Sequence, residues 1–118
     1  GIAMAALAQL YATSGKEHYL QAGRTVFEWT KACQPGAFED LTAAKVGLGT
    51  SALYTATDDT EFSTAAIRVG DMLVNTQLPE GVWLRRPTIT KLQDQPLAVS
   101  LSTSLERACW LLEITRNL

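Results

Sequence analysis

The chain holds one histidine, His18, and two cysteines, Cys33 and Cys109, among its 118 residues. That is too few ligands for a zinc set, so no metal centre is expected and no cofactor is assigned. His18 reads as a surface residue beside a turn. Ser100, Ser102 and Ser104 resemble a nucleophile run but have no neighbouring imidazole to activate them. Charge is also sparse. Charged residues make up 19%, the net charge is −2, and no basic run occurs, so nucleic acid is not an expected partner. Gly1 to Leu10 is apolar but too short to span a bilayer, and it lacks the basic flank of a signal peptide. No N-cap residue precedes it, so the chain is read as starting inside or just before a helix. The two thiols lie in apolar helical segments. They are expected to be buried and reduced rather than bridged, with a lean towards the cytoplasm.

What is present is enough apolar material, 47%, to bury a core in one domain spanning residues 1–118. Periodicity predicts five helices. Helix one, from Ile2 to Thr13, has almost no polar face, and an all-apolar helix is a buried one. Gly15 offers a left-handed cap after it. Helix two, from Glu17 to Cys33, sets Tyr19, Ala22, Gly23, Val26 and Thr30 on one stripe, with Glu17, Gln21, Arg24, Glu28 and Lys31 on the other. Helix three, from Thr42 to Ala56, is again small and apolar. Its glycines, Gly47 and Gly49, cost about 1 kcal/mol each in a helix interior, a cost that fits close approach of a neighbour. Helix four, from Glu61 to Thr76, repeats the half-wet pattern of helix two, with Thr60 as its expected cap. A long connection, 77–95, leads to helix five, from Leu97 to Thr115.

The two halves match in a single register. Leu10-Tyr11 and Leu53-Tyr54, Tyr19 and Phe62, Ala22 and Ala65, Val26 and Val69, and Gln34 and Gln77 are each separated by 43 residues. That spacing marks an internal repeat of helical hairpins, about 2–34 and 42–77. Dry helices alternate with half-wet ones. Two layers satisfy both kinds, with helices one, three and five inside and two and four outside. The expected fold is therefore all-α: repeated antiparallel hairpins in two layers. Closed, the arrangement is an (α/α) toroid; open, it is an α-solenoid. Helices one and five would leave apolar flanks at the open ends, a partner surface for the rest of a toroid or for a second copy.

The stretch Gln77-x-x-x-Gly81-x-Trp83 resembles the QW motif of squalene cyclase-like toroids. The Leu-Tyr pair ahead of an outer helix is similar to the pattern in six-hairpin glycosidases and N-acylglucosamine 2-epimerases. The resemblance implies a partial (α/α) toroid that binds or acts on a carbohydrate or related small molecule. If it is an enzyme, not all of its catalytic residues lie in this chain. Two family features are missing: the aspartate-rich cyclase motif and the paired histidines of the epimerases. The resemblance also places a pocket on the face with the longer loops. The residues singled out there are Glu39, Asp40, Lys45, Glu80, Trp83, Arg85 and Arg86. Each has a plainer reading. Trp83 either stacks on a ligand or clasps its loop onto the core. Arg85 and Arg86 either grip an anion or sit in solvent. Asp40 is a natural N-cap, which weakens a Glu39/Asp40 acid–base pair. Lys45 either snorkels to the rim or points into a cavity. Glu106 and Arg107 fit an ion pair or a place at the edge of the core. The alternative functions are a non-catalytic helical-repeat assembly module and a terpenoid cyclase-like toroid.

Overall fold

The computed structural model describes residues 1–33, 36–39, 43–84 and 97–118, with the backbone alone at 33 and 97–100. Its elements are α1 (Ile2–Ser14), α2 (Glu17–Cys33), α3 (Ala44–Thr57), α4 (Thr60–Asn75) and α5 (Leu97–Asn117). No strand occurs among the described residues. No helix there is long and apolar enough to cross a membrane.

The hairpins α1–α2 and α3–α4 each pack internally, and α3 lies against α1, α4 and α5. α2 barely touches α3. The row α1–α3–α5 is thus the inner layer, with α2 and α4 laid over it. The 43-residue step appears in the coordinates as a pair of matched caps. Gly15 (φ 66°) and Asp58 (φ 57°) both take the left-handed conformation. Their N–H groups donate to the carbonyls of Tyr11 at 2.8 Å and Tyr54 at 2.7 Å. Each closes an inner helix and turns the chain into its outer partner. The cap of α4 differs from expectation. Asp59, not Thr60, is the N-cap, and its Oδ1 accepts from the Glu61 N–H at 3.1 Å.

The glycines of α3 mark two close approaches. A Cβ at Gly49 would lie 2.8 Å from Met4 Cβ on α1. One at Gly47 would lie 2.5 Å from Ile114 Cδ1 on α5 and 2.7 Å from Val69 Cγ1 on α4. Only because both side chains are hydrogen can α3 be flanked so tightly. Leu53 of α3 and Met4, Phe27, Phe62, Val69, Leu73 and Ile114 of the other helices fill the core, all essentially inaccessible to water.

The three inner helices are not equally dry, contrary to the all-buried reading of helices one and five. α1 buries only Met4 and Ala8, while Ile2 and Leu10 stay exposed. On α5, Leu101, Leu105 and Leu112 are 57%, 67% and 67% exposed. The cause is position in the row. α3 has inner neighbours on both sides, whereas α1 and α5 have one each. Cys109, expected to be buried, is exposed on α5 for the same reason. The side chain of Cys33 lies outside the described residues.

Candidate functional site

The connection after α4 is locked down before it leaves the described region. Gln77 Nε2 donates to the Gly81 carbonyl at 2.9 Å, and the Leu78 N–H donates to the Val82 carbonyl at 2.9 Å. Gly81 takes φ 80°, which reverses the chain and drops Trp83 inward. Trp83 is 3% exposed. Its indole N–H donates at 2.7 Å to the Leu73 carbonyl, which also accepts from the Thr76 hydroxyl and sits in the last turn of α4, where carbonyls run out of backbone partners. Its backbone N–H donates to Ser104 Oγ at 3.0 Å, tying the turn to α5. Buried Arg107 donates to the carbonyl of the next residue, Leu84. The ring of Trp83 thus packs in the protein interior, as the clasp reading required, and offers no open stacking face.

The other candidate residues scatter. Glu39 pairs with Arg68 on the outer layer. Glu80 is exposed on the turn. Asp40, Arg85 and Arg86 lie outside the described residues. Lys45 projects from the first turn of α3 and meets Glu106 of α5 at 3.0 Å, with both side chains about half exposed. Trp110 Nε1 donates to the same carboxylate at 3.4 Å. Lys45, and secondarily Trp110, hold the Glu106 carboxyl below its ordinary range. This cluster combines cation, carboxylate and indole between the first turn of α3 and the middle of α5. Trp110 was not legible as a member, because its partner sits one helical turn back and is itself committed to another helix.

A second cluster, which the sequence did not indicate, joins the outer helices. Phe27 of α2 meets Phe62 of α4 edge to face at 4.9 Å, and Phe38 lies 6.0 Å from Phe27. A cation covers each ring: Arg24 over Phe62 at 5.0 Å, Lys31 over Phe27 at 5.0 Å and Arg68 over Phe38 at 5.6 Å. Each cation also has a carboxylate. Arg24 bridges to Asp59 at 2.8 Å, Lys31 to Glu28 and Glu61, and Arg68 to Glu39. Arg24, with the Glu61 N–H, holds Asp59 below its usual range, and the two glutamates raise Lys31. A cleft of about 610 Å³ opens here over Phe27 and Phe38, rimmed by Lys31, Thr60, Thr64 and Arg68. Its charges neutralise one another, so the cleft favours no ion of one sign. It reads as the seam that fastens the two hairpins together.

No protein-family model, no curated protein and no solved structure matches the chain. The toroid resemblance therefore rests on the repeat and on the Gln77 to Trp83 turn alone.

Proposed function

We propose that this chain is a helical-repeat assembly module, a segment of an (α/α)-toroid-type layer pair that works by docking rather than by chemistry of its own residues. The observation that carries the reading is the row of leucines Leu101, Leu105 and Leu112 on α5, each more than half exposed. Ile67 and Val74, exposed on the neighbouring α4, extend it into the outer layer. An apolar edge across both layers is costly to leave in water and is what a further repeat covers. The test is anilinonaphthalene sulfonate binding to the folded single chain, at a dilution that dissociates any assembly. The wild type should bind the dye, and the triple variant L101S/L105S/L112S should lose that binding while keeping its helicity. Equal dye binding by the two proteins would refute the reading.

Ligand binding is a second reading, favoured by one observation: Lys45, Glu106 and Trp110 meet between α3 and α5. A charged pair beside an indole suits the hydroxyls and the apolar face of a carbohydrate. Sugar titrations should change the fluorescence of the wild type and leave Trp110→Phe silent. No change in the wild type with any sugar would remove this reading. A terpenoid cyclase-like role calls for an aromatic cavity on the inner side. The phenylalanine cleft lies between the outer helices instead.

A further inference from the structure

We infer that the occupant of the α5 edge is α1 of a second copy of this chain, joined head to tail so that the inner row continues from one copy into the next. The inference rests on the assembly reading and adds the partner and its orientation.

The chain supplies its own template. α3 receives α1 at Gly49, against Met4, with Val46 and Leu53 one turn to either side of it and Leu53 reaching Gly23 of α2. Forty-three residues earlier, the same positions of α1 are Ala3, Ala6 and Leu10, and all three are exposed. It is the side of α1 turned away from α3, with Ala6 at the place of Gly49 and Leu10 at the place of Leu53. On α5, Ile114 faces α3 at Gly47, and Asn117 donates to Ser51 Oγ at 3.1 Å. Leu101, Leu105, Ala108 and Leu112 occupy the opposite side, spaced four, three and four apart, as in a helix-packing seam. One edge thus offers a row of three leucines, and the other a gap at Ala3 and Ala6 bounded by Leu10. Neither edge carries a charge at these positions, so apolar complementarity decides the pairing. Two leucine edges facing each other about a twofold axis would crowd side chains, with only Ala108 to relieve them. Joining α5 to α1 instead repeats the large-to-small packing already made between α1 and α3.

Sedimentation equilibrium of the 118-residue chain tests this, with Ala6→Asp on one edge and Leu105→Asp on the other. Both positions are exposed, so each variant should keep the wild-type helicity and the melting curve that the wild type shows when diluted to single chains. The wild type is expected at twice the 12.8 kDa of a single chain or more, and each variant alone at one chain mass. Mixed in equal amounts, the two variants should pair again, because the wild-type α5 edge of one meets the wild-type α1 edge of the other. A monomeric wild type would overturn the inference. So would association lost in Leu105→Asp but intact in Ala6→Asp, which would mean leucine edge on leucine edge. A monomer that still binds the dye through its leucines would sink the second copy and leave the docking module standing.

Discussion

Arg24, Phe27 and Lys31 on α2 stand at the same repeat positions as Ile67, Gly70 and Val74 on α4, yet the two flanks meet opposite surroundings. The first is a finished seam. Its aromatic floor is capped by cations, and each cation is held by a carboxylate from α4, from the turn before it, or from α2 itself. On the second flank a Cβ at Gly70 would meet Ile114 of α5 at an ordinary contact distance of 3.8 Å, while Ile67 and Val74 remain in water. Within one chain, then, the same position in the repeat is polar and closed where a partner is present, and apolar and open where none is. The lesson is that the second flank is not a copy of the first waiting for the same neighbour. An element bearing acids like Asp59 and Glu61 would find no cation at Ile67, Gly70 or Val74.

Substitutions can break that contrast, and the largest effect is expected in the closed seam. Phe27→Ala removes a buried ring that touches two others and should cost about 3 to 5 kcal/mol in urea unfolding. A cost under about 1 kcal/mol, within the range of ordinary surface changes, would mean the seam is not part of the core. Next comes Gly47→Ala, where the added methyl meets Val69 and Ile114. Overpacking of about 1 to 3 kcal/mol is expected, seen as a lower melting temperature. Asp59→Ala should cost about 1 kcal/mol, chiefly through the lost cap of α4, because the ion pair with Arg24 is partly exposed. Asp59→Asn keeps a capping oxygen and isolates the charge. Since the folded carboxyl lies below its ordinary value, its contribution is present at neutral pH and fades as pH falls through that depressed value. The stability gap between wild type and Asp59→Asn should therefore close below about pH 4. A gap that widened on acidification would contradict the assigned shift. The smallest effect is expected on the open flank. Leu105→Ser should leave monomer stability within about 0.5 kcal/mol, read from unfolding at high dilution.

Much of this was readable from residue order. Gly15, the turn around Asp58 and the 43-residue step located both hairpins, because caps and periodicity act over a few residues. The glycines of α3 announced close neighbours without naming them. Contacts made across hairpins were not readable. Arg24 and Lys31 appeared as a solvated stripe, since nothing local shows that Asp59 and Glu61 lie opposite. The dryness of α5 misled in the other direction. Its apolar surface looked like core and placed Cys109 inside, whereas half of that surface belongs to an edge. At the candidate site, the burial of Trp83 could be expected from the turn before it, but its acceptor at Leu73 and its tie to Ser104 depend on how the turn folds back.

The central place of α3 also sets the order in which the molecule comes apart. α1 with α2 can peel from one side, and α5 from the other, each exposing only part of what α3 buries. The middle helix then unravels last, so the amides of Gly47 to Leu53 should be the slowest to exchange their hydrogens with deuterated solvent. Breathing of the fold is confined to its margins, where α1 and α5 carry its exposed leucines.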